Sequence, residues 1–169
     1  MNRQLTGRIS DFHFAPSDKA KGNLLKENVN DDSILVTGNT VIDALQVAVS
    51  KIYNGYTNAS IENLNKILDF TKKIILVTGH RRENFGTGFE NVCNAILDIS
   101  KNENVDIVYP VHLNPNVQNV VYNKLSNIKN IHLIAPLDYP SFVWLMSKSS
   151  LIISDSGGIQ EEAPSLNIP

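Results

Sequence analysis

Five short runs, rich in β-branched residues and mostly continuous in their apolar character, constrain the fold of this chain more than any other feature. They lie at residues 34–38, 74–79, 105–109, 131–134 and 151–154. A strand with one solvated face alternates apolar and polar residues, and these do not alternate. Such runs belong to strands covered on both faces, as in a parallel sheet. The segments between them read as helices. Val41, Leu45, Ala48, Val49 and Ile52 share one face, and Phe89, Val92, Cys93, Ile96 and Leu97 share another. Val117, Val120, Val121 and Leu125 repeat the pattern, as do Phe142, Leu145 and Met146. That spacing is the stripe of an amphipathic helix. Ser17 is placed to cap a segment over 19–27, and Pro140 suits the first turn of a helix. Strand alternating with helix predicts an α/β, Rossmann-like, doubly wound parallel sheet.

Composition narrows the function. Fifteen Lys and Arg against 17 Asp and Glu leave a net charge of −2, with no dense basic cluster. Neither a nucleic-acid footprint nor a polybasic membrane patch is expected. Cys93 is the one cysteine, so no intramolecular disulfide and no Cys-cluster zinc site is possible. No apolar run approaches the ~20 residues of a membrane helix. The opening residues lack the apolar core of a signal peptide. A cytoplasmic location is the expectation, with no metal and no cofactor.

In doubly wound sheets ligands bind outside the carboxyl ends of the strands. Three of those ends carry polar or glycine-rich sequence. The most informative is 154–162, SDSGGIQEE, where Ser156-Gly157-Gly158 precedes a helix expected to begin near Ile159. Two glycines let backbone amides approach a ligand closely, and a helix start favours an anion, so a phosphate fits there. Ser156 can donate its hydroxyl to a phosphate oxygen. Glu161 and Glu162 each have two readings: compensation of the helix dipole, or acceptance of ribose hydroxyls. The second end, His80-Arg81-Arg82-Glu83, can neutralise a diphosphate or bind a sugar oxygen, or it can be a solvated helix start. The third places His112 on a turn between Pro110 and Pro115. Core packing is the default for Phe142 and Trp144, though either ring can stack on a base. Cys93, His13 and His132 read as structural.

Taken together and in order, residues 78–84 (TGHRREN), 110–115 (PVHLNP) and 154–164 (SDSGGIQEEAP) resemble the non-hydrolysing bacterial UDP-N-acetylglucosamine 2-epimerases. Residues 2–5 (NRQL), 14–16 (FAP) and 36–43 (VTGNTVID) are similar to that family in the same order. The resemblance implies the GT-B architecture, two Rossmann-like domains with substrate in the cleft between them. It implies isomerase chemistry: interconversion of UDP-GlcNAc and UDP-ManNAc by elimination and re-addition of UDP, supplying cell-envelope polysaccharides. Full-length relatives are expected to be homodimers.

The same resemblance implies roles for individual residues. His80 is expected as the catalytic and substrate-contacting histidine. Ser156, Gly157 and Gly158 are expected to bind phosphate, and Glu162 the ribose hydroxyls. Phe142 and the backbone near Leu137 are expected to flank uracil. Arg81 and His112 match positions that contact a second, allosteric UDP-GlcNAc in several members.

Family members are longer, so the chain is expected to be the C-terminal half of the fold, incomplete at both ends. Residues 1–32 would be a segment crossing from a missing N-terminal domain, and 33–169 a truncated UDP-binding domain. The acidic residues used for proton transfer in the family would then be absent. An exposed edge is expected beside residues 151–154. Abstraction of the weakly acidic C2 proton needs a positioned base and a closed, dry cleft, so the chain alone is expected to be inactive. Alternative readings are the nucleotide-binding half of a GT-B glycosyltransferase, a hydrolysing 2-epimerase, and a non-catalytic nucleotide-binding remnant.

Overall fold

The computed structural model describes residues 2–79 and 87–169. Two compact units divide between Ala44 and Leu45.

In the first unit, helix α1 (Asn2–Ile9) and strand β1 (His13–Ala15) precede α2 (Asp18–Lys26). Ser17 caps α2, its hydroxyl oxygen accepting from the amide of Ala20 at 3.2 Å. A turn of 3₁₀ helix leads into β2 (Ile34–Val36), which pairs in parallel with β1. The expectation that 34–38 joins the main sheet is therefore corrected. Its burial explains why: Ile34 is buried, but Leu35 and Val36 are exposed, so this strand is not covered on both faces. Strand β1 is three residues of mixed character and escaped the sequence reading.

Helix α3 (Thr40–Tyr53) runs across the division, and its Leu45 enters the core of the second unit. That unit continues with α4 (Ala59–Ile67), β3 (Lys73–Thr78), α5 (Thr87–Ser100), β4 (Val105–Pro110) and α6 (Pro115–Leu125). It ends with β5 (Ile131–Ile134), α7 (Tyr139–Lys148), β6 (Leu151–Ser154) and α8 (Gly157–Ser165). The four strands are all parallel, in the order β5-β4-β3-β6.

The pleat sends alternate side chains into two cores. Ile74, Leu76 and Val108 face Leu45, Ile61, Leu64 and Leu145 on one side. Ile75, Val77, Ile107 and Tyr109 face Phe89, Cys93, Val117 and Leu125 on the other. Helices α4, α7 and α8 thus cover one face, while α5 and α6 cover the other. This is the α/β, doubly wound arrangement expected, and it accounts for the unbroken apolar runs. Cys93 is fully buried, and burial pushes its thiol pKa up. Trp144 packs edge-on against Phe70, their ring centroids 6.1 Å apart.

One buried charge sits at the amino end of the sheet. Asp106 on β4 is 3 % exposed. It accepts from the amide of Asp69 and from Lys72 Nζ, both at 3.3 Å. His132 Nε2 lies 3.3 Å from the same carboxylate without aligning as a hydrogen bond. This network is at the end of the sheet away from the glycine-rich segment. Strand β6 forms a lateral edge of the sheet, as expected, although Ile152 donates its amide to Pro169 O at 2.9 Å.

Candidate functional site

The order β5-β4-β3-β6 fixes where a ligand can enter. From β3 the chain steps outward to β4 and β5, then returns to the other side of β3 as β6. The helices that follow β3 and β6 pack on opposite faces of the sheet, α5 on one and α8 on the other, and it is at such a switch that doubly wound sheets take ligands, in the crevice outside the carboxyl ends of the strands. Thr78 of β3 stands opposite Ser154 of β6 in the register. Their hydroxyls are 3.4 Å apart. Ser154 Oγ accepts from the amide of Ser156 at 3.0 Å, and the amide of Asp155 donates to Thr78 O at 3.3 Å. On the β4 side, Tyr109 donates its hydroxyl to Gly79 O at 3.2 Å. Burial raises the Tyr109 phenol, so it remains a donor. These bonds fix the backbone on either side of the crevice.

Helix α8 starts in this crevice. It begins at Gly157 rather than near Ile159, so both glycines form the first turn. Ser156 is the N-cap residue, yet its side chain makes no cap hydrogen bond. The first amides of a helix have no partner within it, and here no side chain takes them. Gly157 and Gly158 are exposed, and a Cβ on Gly158 would meet only Ser156 Oγ, at 3.9 Å. The start of α8 therefore presents two accessible amides and the positive end of a dipole, a combination suited to phosphate. The amide of Ser156 is already engaged, so Ser156 can contribute only its hydroxyl.

The glutamates resolve differently from one another. No acidic residue occupies the first turn of α8; Glu161 and Glu162 fall in the second. Dipole compensation fades beyond the first turn, which removes that reading for both. Glu161 is exposed. Glu162 is 7 % exposed and accepts from Tyr139 Oη at 2.9 Å. Among the described residues this is its one hydrogen-bond partner. A carboxylate offers about four acceptor positions, so a buried one with a single donor is under-satisfied. The Tyr139 phenol is pushed up to about 12, first by desolvation, then by its hydrogen bond to Glu162 and that group's charge.

Tyr139 opens α7, and its placement is unusually fixed. Asp138 caps the helix by accepting from the amide of Ser141 at 3.2 Å. Asn58, the N-cap of α4, accepts from the amide of Ile61 at 2.9 Å. Its Nδ2 donates to Asp138 Oδ2 at 3.2 Å and to Ser141 Oγ at 2.9 Å. Two helix caps thus hold each other, and the start of α7 is anchored to α4. Leu137 and Phe142 flank this start and are half-buried. With Thr78, Gly79, Pro110 and His112 they line a recess of about 170 Å³. That is below the roughly 300–1,000 Å³ of sites enclosing drug-sized ligands, so the recess has room for only part of such a molecule.

The structure therefore brings together Leu137, Phe142, Ser156, Gly157, Gly158 and Glu162 along one rim of the sheet. His112 is exposed at the same rim and accepts from the amide of Asn114 through Nδ1 at 3.1 Å. His80 and Arg81 lie outside the described residues. Tyr139, Asn58 and Ser141 were missed as site residues. Asn58 is the residue before an apolar-periodic segment, a cap signal that was open to notice. Nothing local marks Tyr139, whose partner is 23 residues away. A cavity of about 830 Å³ is lined by residues of the first unit such as Phe12 and Phe14. It includes none of the strand-end residues. No group of three or more His, Cys, Asp or Glu placed to hold a metal occurs among the described residues. No helix among them is long and apolar enough to cross a membrane.

A sequence profile of the UDP-N-acetylglucosamine 2-epimerase family matches residues 1–169. The chain is 53 % identical over 170 residues to the UDP-N-acetylglucosamine 2-epimerase of Salmonella typhimurium, covering 99 % of itself and 45 % of that protein. It is 56 % identical over 174 residues to the enzyme of that name from Campylobacter jejuni, again covering 45 % of it. Among solved structures, it superposes on the Neisseria meningitidis UDP-GlcNAc 2-epimerase bound to UDP-GlcNAc with a TM-score of 0.89. Sequence identity there is 48 %, covering 99 % of this chain and 46 % of the other. The chain thus spans somewhat less than half the length of the relatives it matches.

Proposed function

The chain belongs to the UDP-N-acetylglucosamine 2-epimerase family, and on that footing we propose that its second unit holds the UDP portion of a UDP-N-acetylhexosamine at the carboxyl rim of the sheet. The pyrophosphate lies on the amides of Gly157 and Gly158, with the Ser156 hydroxyl as a further donor. Glu162 accepts the ribose hydroxyls. Leu137 and Phe142 flank the uracil in the recess beside Thr78. His80 meets the diphosphate or sugar, and Arg81 and His112 serve a second UDP-GlcNAc that acts as activator. The observation that carries this reading is a buried, under-satisfied carboxylate one helical turn beyond an uncapped, double-glycine helix start.

The whole protein, on this reading, interconverts UDP-GlcNAc and UDP-ManNAc. A base removes the C2 proton, the C1–O bond breaks, and its electron pair leaves with UDP as a C1=C2 double bond forms. UDP then re-adds at C1, and a proton is delivered to the opposite face of C2. This chain's share is electrostatic. Charge accumulates on the departing UDP, and fixed amides at a helix start stabilise charge where it develops. The complete protein acts in the cytoplasm as a homodimer.

Calorimetric titration of the chain with UDP tests the binding claim. Binding by the wild-type chain, lost in Glu162→Ala, is the expected result; equal affinity in both removes Glu162 from the site. The chain, which spans 45 % of its Salmonella relative, is expected alone to form no UDP-ManNAc from UDP-GlcNAc, and measurable turnover would show that this portion suffices for the chemistry.

A further inference from the structure

We propose that Tyr139 is a positioning residue for ribose recognition: its hydroxyl holds the Glu162 carboxylate ready to accept vicinal hydroxyls, and so sets a preference for ribonucleotides over their 2′,3′-dideoxy analogues. This rests on the reading of Glu162 given above and adds a residue to it.

The geometry supplies three arguments. First, the bond itself joins a donor and a charged acceptor at 2.9 Å, with the acceptor 7 % exposed. Tyr139 itself is 43 % exposed, so the bond is half-sheltered, and a bond to an ionised group is among the stronger hydrogen bonds in proteins. It occupies one acceptor position on Oε1 and leaves the others unclaimed among the described residues, enough for two ribose hydroxyls.

Second, the donor is rigidly mounted. Tyr139 is the first residue of α7, whose start is capped by Asp138 and tied through Asn58 to α4. A tyrosine has only two side-chain torsions, whereas a glutamate has three, and free torsions must be frozen when a ligand binds. Freezing Glu162 in advance removes that cost from nucleotide binding.

Third, the bond couples two elements that would contact different parts of one ligand. Helix α7 and the residue before it carry Phe142 and Leu137 beside the recess, while α8 carries the glycine amides and Glu162. The Tyr139–Glu162 bond sets the spacing between base and ribose subsites. The raised phenol keeps the donor protonated throughout the neutral range.

The test is a four-variant titration of the chain: wild type, Tyr139→Phe, Glu162→Gln and the double variant, each with UDP and with 2′,3′-dideoxy-UDP. Tyr139→Phe keeps the ring and removes only the donor. It should weaken UDP about fivefold to tenfold, the worth of one hydrogen bond, while leaving the dideoxy analogue unchanged. In the Glu162→Gln background the same substitution should add nothing. Equal weakening of both nucleotides would mean that Tyr139 acts by packing, and would overturn the proposal. So would Tyr139→Phe binding UDP as the wild type does while Glu162→Gln binds it more weakly, a result that leaves the ribose role of Glu162 standing. A wild-type chain that binds UDP no better than the dideoxy analogue would overturn both readings together.

Discussion

Glu162 shows how far a single residue's meaning depends on its register. One residue earlier or later, the stretch Glu161–Glu162 would place its buried carboxylate elsewhere; as folded, Glu161 is exposed and Glu162 is turned toward Tyr139. The pair also carries a pH signature. Tyr139 has its folded pKa raised, to about 12, above the ordinary value of 10. A raised pKa means that the folded state favours the protonated phenol. Its stabilising contribution is complete below pH 10 and is lost as pH climbs toward 12. Chemical denaturation across that window should show the wild type losing stability faster than Tyr139→Phe, and ultraviolet titration should show one late phenolate missing from the variant. Parallel stability curves would mean that the bond does not form.

Among the elements, the start of α7 and the start of α8 divide the work of the site. The first is over-determined by side chains. Asn58→Ala removes the α4 cap and the bridge to Asp138 and Ser141, and should cost about 1–2 kcal/mol in urea denaturation. The second is left bare of side chains. Gly158 has space for a Cβ and sits within a helix, so Gly158→Ala should raise stability by roughly 0.5 kcal/mol. The same methyl intrudes where a phosphate would approach, so UDP affinity should fall. Stability and binding moving in opposite directions is the mark of a helix start kept open for a ligand; a variant that gains stability with unchanged UDP affinity would deny it.

These elements also show what the sequence made legible. Runs such as Ile74 to Val77 announced strands buried on both faces, because they feed two cores at once. Stripes such as Phe89, Cys93 and Ile96 announced the covering helices for the same reason. The segment at 34–38 had the same composition but a different fate, since composition does not say whether a partner covers each face. The glycine-rich start of α8 was legible because glycine has few other reasons to stand there. Tyr139 was not, because its role comes from a contact with a distant helix that no local pattern encodes.

At the scale of the molecule, the four-stranded sheet explains why the site exists. The helices after β3 and β6 cover opposite faces of the sheet, and α8 starts directly after the carboxyl end of β6. The chain spans 45 % of its Salmonella relative. On the proposed reading, the nucleotide's charge and ribose are handled by the starts of α8 and α7. The most direct measurement is a crystal structure of the chain soaked with UDP. The pyrophosphate oxygens should lie about 3 Å from the amide nitrogens of Gly157 and Gly158, with the ribose hydroxyls on Glu162 and the base against Phe142. A nucleotide ordered anywhere else, or those two amides bonded within the protein and the crevice empty, would contradict it.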